Sequence, residues 1–300
     1  MISDSLKVTM SASIKNVRPK LPPWIRVKVS AGESKDKVES LIGQYKLHTV
    51  CQSAKCPNLC ECWHKQTATF MILGGECTRN CTFCAVNHSK SPAPPDPDEP
   101  ANIAEAAKAM KLRYVVVTSV TRDDLPDGGA SHFAQTIKAI KKAIPSAKVE
   151  VLTPDFGGNT GSLKLVTDPG PDVFNHNIET VERLSREIRS GADFRRSLMV
   201  LKSAFELGKG RFSVKSGLMV GLGETDAEIE ETICEIRKTG AEILTIGQYL
   251  PPTEKHRRLE RYVHPDTFEK WKIFAEKLGF RRVASGPLVR SSYNAEDFSV

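Results

Sequence analysis

Seven of the eight cysteines lie within 34 consecutive residues, from Cys51 to Cys84, and no other feature of the sequence restricts the fold as strongly. Closely spaced cysteines form disulfides in small secreted domains, but they bind metal in larger chains without a secretory signal. The first 20 residues lack the apolar stretch that is typical of such a signal. The sequence therefore predicts metal centres rather than a disulfide framework.

The later cysteines, Cys77, Cys81 and Cys84, have the spacing C-x3-C-x2-C. A structural zinc site usually takes four ligands arranged in two pairs. Three cysteines in one short loop instead suit a [4Fe–4S] cluster whose fourth iron is open to another ligand. A zinc site, or an electron-transfer cluster with a distant fourth cysteine, is the alternative. Phe83 lies inside the loop, where we expect its ring to shield the cluster from water.

The earlier cysteines contain a second trio, Cys51, Cys56 and Cys62, with the spacing C-x4-C-x5-C. Two trios so close together indicate two clusters, and one four-cysteine cluster with spare cysteines is the alternative. Cys60 is predicted to be a small buried side chain, although it could replace a member of this trio. Cys234 lies in a helical pattern and is predicted to belong to the core.

Composition limits the class of protein. The chain of 300 residues is 40% hydrophobic and 26% charged, which is enough to bury a full-sized core. Its net charge of +7 favours an acidic partner surface but does not indicate nucleic acid. No apolar run reaches the roughly 18 residues of a membrane span. We expect a cytoplasmic protein, and the Ser-rich, acid-poor start leaves an organellar transit peptide as the alternative.

Short apolar, β-branched segments alternate with longer helical patterns along the chain. The predicted strands are Thr69–Leu73, Tyr114–Thr118, Lys148–Leu152, Asp172–Asn175, Val214–Val220 and Ile243–Ile246. The predicted helices are Asn102–Met110, Ser131–Ile144, Thr180–Glu187, Asp193–Gly208, Asp226–Thr239 and Pro265–Leu278. This alternation predicts a parallel sheet with helices outside. Since six units are fewer than the eight of a closed barrel, the predicted fold class is α/β, a partial (β/α)6 TIM-like barrel with N- and C-terminal extensions.

The predicted division of the chain has three parts. Residues 1–66 form an N-terminal extension with the first trio, residues 67–249 the barrel, and residues 250–300 a C-terminal extension. The Pro- and Asp-rich stretch 91–100 is predicted to lack regular structure. In barrels of this type the site residues lie on loops at the carboxyl ends of the strands, and the loop 77–84 directly follows the first predicted strand.

The C-x3-C-x2-C loop with its aromatic residue resembles the signature of the radical S-adenosylmethionine (SAM) superfamily. There the open iron chelates SAM, and reductive cleavage gives a 5′-deoxyadenosyl radical while the protein positions the reactants. The two trios in this order further resemble the lipoyl synthase family, and much of the chain agrees with it. The agreeing stretches are PPWIRVK at 22–28, ATFMILGGECTRNCTFCAV at 68–86, TSVTRDDLPDGGA at 118–130, VLTPDF at 151–156, DVFNHNIETV at 172–181, KSGLMVGLGET at 215–225, TIGQYLPPT at 245–253 and ASGPLVRSSY at 284–293.

The terminal tetrapeptide Arg290–Tyr293 carries the most specific implication of this resemblance. In that family one of its serines is the fourth ligand of an auxiliary [4Fe–4S] cluster, which we assign to Ser292, with Ser291 as the less favoured choice. A serine oxygen is a hard ligand in a kind of cluster that usually takes thiolates, so we expect it to be lost easily. That suits an auxiliary cluster that is dismantled to donate sulfur.

The resemblance implies that two sulfur atoms are inserted at C6 and C8 of a protein-bound octanoyl-lysine, with two SAM molecules consumed. A radical is needed because no side-chain base can deprotonate an unactivated carbon. The alternatives are a radical SAM methylthiotransferase and a non-catalytic iron–sulfur carrier. The implied partners are an octanoylated lipoyl-carrier domain (a 2-oxoacid dehydrogenase subunit or glycine-cleavage carrier protein), an electron donor such as ferredoxin or flavodoxin, and an iron–sulfur carrier, with neither nucleic acid nor a membrane among them.

By the same resemblance, polar residues at strand ends are expected to contact SAM. These candidates are Thr118, Asn175, Asn177, Glu179 and Arg189, with Ser119 beside the first. Arg189 can pair with the SAM carboxylate through two hydrogen bonds, and its alternative is a solvated surface arginine. For the two asparagines the alternative is local turn chemistry. The superfamily's motif for the SAM amino group has no match after the second strand, so that contact is not assigned.

Two further segments have open interpretations. The glycines Gly221 and Gly223 resemble a backbone segment that lines the adenine of SAM, or they form a tight strand-to-helix turn. The basic run 255–261 and the pair Arg281–Arg282 are either a solvated face or a docking surface for an acidic carrier domain. The basic run has no interleaved aromatic residues, which argues against RNA.

Overall fold

The structure is a computed structural model that describes residues 20–26, 33–65 and 67–298. The prediction about a transit peptide concerns residues 1–20, of which all but the last lie outside the described residues. The end of the matched stretch 22–28 also lies outside them.

Parallel strands in chain order form the main sheet. The strands are β1 His48–Thr49, β2 Thr69–Ile72, β3 Glu76–Cys77, β4 Asn87–His88, β5 Tyr114–Ser119, β6 Lys148–Leu152, β7 Val173–Asn175, β8 Ser213–Val220, β9 Ile243–Gln248 and β10 Arg282–Gly286. The main sheet has the order β1-β2-β5-β6-β7-β8-β9-β10, and β3 pairs with β4 separately. Only β1 is antiparallel to its neighbour in the main sheet.

Helices connect these strands and cover the sheet. They are α1 Glu33–Gln44, α2 Val50–Ser53, α3 Leu59–His64, α4 Glu99–Ala109, α5 Ala130–Ala143, α6 Thr160–Thr167, α7 Glu182–Ile188, α8 Phe194–Gly208, α9 Asp226–Lys238 and α10 Pro265–Lys277. Short 3-10 turns occupy Phe156–Gly158 and Ala295–Phe298. Among the described residues, no helix is long and apolar enough to cross a membrane.

The predicted fold class is confirmed: the fold is α/β with a mostly parallel sheet arranged as a partial barrel. The six predicted strands all occur, with ends that shift by at most two residues. The sequence did not predict β10. Val283 is the one buried residue of this strand, so the strand contains no apolar run that would identify it. It also did not predict β1, α6 or the three helices before the barrel. Both extensions thus add a strand to the sheet, one at each edge.

Two local predictions were wrong. Cys234 is only partly buried on α9, because the buried face of that helix consists of Ile229, Thr232, Ile233 and Ile236. The stretch 91–100 is irregular only as far as residue 98, because α4 begins at Glu99 with a proline in its first turn. Proline is tolerated there since the first helical N–H groups have no partner within the helix.

A buried ion pair lies across the inner strands. The Lys215 ammonium on β8 is 2.8 Å from a carboxylate oxygen of Glu150 on β6, and both residues are only 1% exposed. Tyr114 and Asn175 each donate a further hydrogen bond to the same carboxylate, at 2.7 and 3.0 Å. Removing one partner of such a pair leaves an uncompensated buried charge.

We therefore expect Lys215→Met to lower the free energy of unfolding by about 3–5 kcal/mol, measured by urea titration. The matched control is Lys164→Met, which breaks an exposed pair with Asp168 and should cost no more than about 1 kcal/mol. Similar losses in the two variants would contradict the role assigned to the buried pair.

Candidate active site

The loop that carries the later trio leaves β2 through a strained residue. Leu73 has a left-handed backbone with φ of 70°, which is rare for a residue with a side chain. Its N–H donates to the buried carboxylate of Glu99 at 2.7 Å, and its carbonyl accepts from Arg122 at 3.3 Å. These two contacts hold the turn that directs the chain toward Cys77.

The three thiols of the later trio are partly buried and interact with one another. The Cys77 sulfur accepts hydrogen bonds from the N–H groups of Arg79 and Thr121, at 3.4 and 3.3 Å. Burial, together with the neighbouring thiols Cys77 and Cys81, raises the pKa of Cys84 to about 12. Burial, with Cys77 nearby, also raises the pKa of Cys81. Such thiols need a positive partner to become thiolates, and metal binding provides one.

The earlier trio has the same character. Cys51 lies on α2, Cys56 in the following turn and Cys62 on α3. Burial, with the thiol of Cys56 nearby, raises the pKa of Cys51 to about 11. Burial, with both other thiols nearby, raises the pKa of Cys62 to about 12. Cys60 lies partly buried on α3.

The number and chemistry of these side chains suit clusters better than single ions. Within the described ranges, no three Cys, His, Asp or Glu side chains are arranged to hold one metal ion. A zinc ion would need its thiolates in a single tetrahedral shell. In a [4Fe–4S] cluster each thiolate binds a different iron, so the sulfurs stand further apart. Each trio supplies three thiols, most of them partly buried, and such a donor set suits a cluster.

The whole of the earlier trio and two cysteines of the later trio line one cavity of about 630 Å³. The cysteines that line it are Cys51, Cys56, Cys62, Cys77 and Cys84. Of the other predicted site residues, those that line it are Phe83, Thr118, Asn177, Glu179, Arg189 and Ser292. The sequence placed these residues in three separate parts of the chain, and the fold brings them around a single space.

Direct contacts join the two extensions beside this cavity. The side-chain amide of Asn58 donates to the carbonyl of Leu288 at 2.7 Å. The Tyr293 hydroxyl donates to the carboxylate of Glu61 at 3.0 Å. The extensions therefore meet, as they must if Ser292 and the earlier trio are to hold one cluster.

The two adjacent serines lie in different surroundings. The Ser291 hydroxyl forms hydrogen bonds with both atoms of the Asn177 side-chain amide, at 2.7 and 3.0 Å. Ser292 also lines the cavity, and its hydroxyl makes no hydrogen bond among the described residues. Of the two, Ser292 is the hydroxyl that is free to bind a metal.

Arg189 is buried and Glu179 partly buried near the later trio, and their opposite charges interact. Arg189 is 6% exposed, so the alternative of a solvated surface arginine is wrong. It donates to the Ser197 hydroxyl at 3.0 Å and to the Asn177 carbonyl at 3.2 Å. Burial raises the pKa of Glu179, although Arg189 and the amide of Asn177 oppose this rise. Arg189 keeps its positive charge inside the cavity, where a carboxylate can pair with it.

Two predicted SAM contacts also bond within the sheet. The Thr118 hydroxyl, at the cavity wall, donates to the carbonyl of Leu152 at 3.0 Å. Asn175 is fully buried, and its amide donates to Glu150. Neither Asn175 nor Cys81 is among the lining residues, and contact of Asn175 with SAM stays a prediction.

Sequence reasoning missed Arg79, which anchors the later cysteine loop. Its guanidinium bonds to Asp123 at 2.7 Å and to Asp155 at 2.8 Å, after β5 and β6 respectively. Burial alone would raise the pKa of Asp155, but the hydrogen bonds and charge of Arg79 hold it well below its usual range. The sequence contained a signal for this contact: an arginine inside the cysteine loop and acidic residues after two predicted strands.

The basic run also holds this loop. The Nε2 atom of His256 is 3.1 Å from the Cys84 carbonyl, and its Nδ1 atom is 2.8 Å from the Thr253 hydroxyl. The Arg257 N–H donates to the Thr82 carbonyl at 2.8 Å. Since a carbonyl only accepts, Nε2 carries the proton and Thr253 donates to Nδ1. Neither interpretation of the run, a solvated face or a docking surface, anticipated these contacts.

The glycines after β8 form a tight turn. Gly221 and Gly223 have φ of 101° and 110°, values that favour glycine. The carboxylate of Glu224 accepts from the N–H groups of Gly221 and Leu222 and closes this turn. The structure supports the strand-to-helix turn proposed as one of the two interpretations.

Sequence comparison relates the chain to known families. Residues 71–236 match the radical SAM superfamily, and residues 4–56 match the N-terminal domain of lipoyl synthase. A lipoyl synthase from Caldicellulosiruptor saccharolyticus is 52% identical over 94% of this chain and 98% of the relative. One from Chlorobium limicola is 51% identical over 94% of this chain and 96% of the relative.

Solved structures with low sequence identity share the fold. Methylornithine synthase is 14% identical, with a TM-score of 0.54 over 87% of this chain and 81% of that protein. The FeFe-hydrogenase maturase HydG from Carboxydothermus hydrogenoformans is 13% identical, with a TM-score of 0.53 over 88% of this chain and 77% of that protein.

The His256 contact yields a test of the later cysteine loop. We expect His256→Ala to speed iron loss from the reconstituted loop cluster about 10- to 100-fold, because contacts that orient metal ligands have effects of this size. His256→Gln should restore most of the retention, since its amide can donate to the same carbonyl. The measurement is the rate at which a chelator removes iron under anaerobic conditions.

Lys255→Ala is the control, because that neighbouring side chain is exposed. Iron loss from His256→Ala at the wild-type rate would contradict the positioning role.

Proposed function

This chain belongs to the lipoyl synthase family of the radical SAM superfamily, and from that premise we propose that it inserts two sulfur atoms, at C6 and C8, into an octanoyl-lysine on a carrier protein. One structural observation connects this proposed reaction with particular residues of the chain. The earlier trio, two members of the later trio (Cys77 and Cys84), Ser292 and the buried Arg189 line a single cavity.

The family membership brings a [4Fe–4S] cluster and SAM. We assign this cluster to Cys77, Cys81 and Cys84, whose loop is anchored at Arg79 and at the Cys84 carbonyl. We propose that Arg189, which is buried beside this loop, pairs with the SAM carboxylate. Thr118, Asn175, Asn177 and Glu179 are proposed to contact the remaining polar groups of SAM, and Phe83 to limit water access.

A second, auxiliary cluster is assigned to Cys51, Cys56, Cys62 and Ser292. When bound, the two clusters with SAM supply a 5′-deoxyadenosyl radical and the sulfur atoms. This chain's own residues bind, orient and shelter these groups. The serine hydroxyl, which has no other partner among the described residues, is a ligand that can leave without breaking a contact elsewhere.

The remaining partners are proposed from the family. The substrate is an octanoylated carrier domain, which reaches the cavity at the carboxyl ends of the strands. A ferredoxin or flavodoxin supplies electrons, and an iron–sulfur carrier rebuilds the auxiliary cluster. We propose a cytoplasmic location. The exposed Lys255 and Arg258, next to the cluster loop, are positioned to attract an acidic carrier surface.

A single anaerobic reaction tests the activity. The protein is reconstituted with iron and sulfide, mixed with SAM, dithionite and an octanoyl-lysyl peptide, and its products are read by mass spectrometry. We expect a dithiolated peptide together with 5′-deoxyadenosine. Formation of 5′-deoxyadenosine without sulfur in the peptide would refute the substrate, and the absence of both would refute the catalytic assignment.

The variant Cys81→Ala is the control for this reaction. It removes one ligand of the SAM-cleaving cluster, so turnover should disappear while the iron of the auxiliary cluster remains. A non-catalytic carrier would instead keep its function.

The proposed lability of Ser292 is tested by Ser292→Cys. A thiolate holds cluster iron more firmly than a serine oxygen, so this variant should assemble its auxiliary cluster but insert sulfur poorly. Iron content and dithiolated peptide are measured on the same sample. Normal turnover would show that easy loss of the fourth ligand is not required.

A further inference from the structure

The C-terminal segment 287–294 packs against two glycines of the main sheet. A Cβ atom on Gly247 of β9 would overlap the carbonyl oxygen of Val289. On Gly217 of β8 it would lie 2.6 Å from the Thr245 hydroxyl, 2.8 Å from the Asn177 amide oxygen and 3.1 Å from the Ser291 hydroxyl. Neither glycine has a positive φ, so both positions are explained by close approach rather than by backbone conformation.

Side-chain contacts fix this segment on both sides of Ser292. Before it, the Leu288 carbonyl accepts from Asn58, and the Ser291 hydroxyl bonds to Asn177. After it, Tyr293 donates to Glu61. The contacts of Leu288 and Tyr293 join the segment to the region of the earlier trio. The contact of Ser291 joins it to the end of β7.

We propose that Gly217, Gly247 and Ser291 are positioning residues that seat the segment so that Ser292 reaches the earlier cysteine trio. The two adjacent serines then have different roles: Ser291 anchors the segment, and Ser292 binds the cluster. This inference rests on the proposed function, because it takes the auxiliary cluster as given.

The energetics of the Asn177 amide support this division. Asn177 is 8% exposed, and its side chain is occupied by Ser291 and Glu179. If Ser291 left to bind iron, a buried amide would lose a hydrogen-bond partner, which is unfavourable. The Ser292 hydroxyl carries no such cost.

The test compares two glycines that are paired on neighbouring strands. Gly247 of β9 and Gly286 of β10 are register partners. At Gly286 a Cβ atom would meet only the Val289 side chain, at an ordinary 3.5 Å. Gly247→Ala therefore displaces the segment, whereas the matched control Gly286→Ala does not.

Each variant is prepared anaerobically in the Cys81→Ala background, in which the auxiliary cluster alone is expected. The readouts are iron and sulfide per chain, the Mössbauer spectrum, and the rate of iron loss to a chelator. We expect Gly247→Ala to lose auxiliary iron at least about tenfold faster than Gly286→Ala, with an altered spectrum. Ser291→Ala, which removes only a hydroxyl, should change the rate in the same direction.

Cleavage of SAM to 5′-deoxyadenosine, measured with the two glycine variants in the otherwise unchanged chain, shows whether the barrel remains folded. It should persist in both. Auxiliary iron held by Gly247→Ala and Ser291→Ala as firmly as by the control would overturn the inference. If the Cys81→Ala parent itself binds no cluster, the result refutes the auxiliary cluster assigned under the proposed function.

Discussion

The requirement to hold buried thiols in a fixed arrangement governs this structure. Burial raises the pKa values of Cys51, Cys62 and Cys84 well above the ordinary thiol value. A cluster must therefore displace protons as it binds, and any looseness of the loops adds to that cost. The loops are accordingly fixed by contacts that do not involve sulfur, such as Arg79 with Asp155 and His256 with the Cys84 carbonyl.

The open barrel makes this arrangement possible. Parallel strands in chain order place their carboxyl ends at one edge, where the loop after β2 and the turns after β5, β6 and β7 meet. Because the sheet gains β1 at one edge and β10 at the other, each extension starts from a fixed strand. The extensions then approach each other across the cavity, where Asn58 meets Leu288.

Local patterns predicted much of this fold and site. The cysteine spacings, the β-branched strands and the tetrapeptide Arg290–Tyr293 are all contained within short stretches of sequence. The roles of His256, Gly247 and β10 could not be predicted in this way. Each depends on a partner far along the chain: the Cys84 carbonyl, the Val289 carbonyl and the edge of β9. The sequence left Arg189 open between a SAM contact and a solvated surface arginine, because arginines are mostly exposed.

A ligand that must leave its metal cannot also be what holds its own segment in place. If the Ser292 oxygen alone tied the C-terminal segment to the cluster, loss of that bond would release the segment and open the cavity. The contacts of Leu288, Ser291 and Tyr293 remove this difficulty, since none of them involves the hydroxyl of Ser292. The glycines on β8 and β9 let the segment lie close enough to make these contacts. The proposed weak fourth ligand is thus compatible with a closed site, because the contacts of its neighbours hold the segment that carries Ser292.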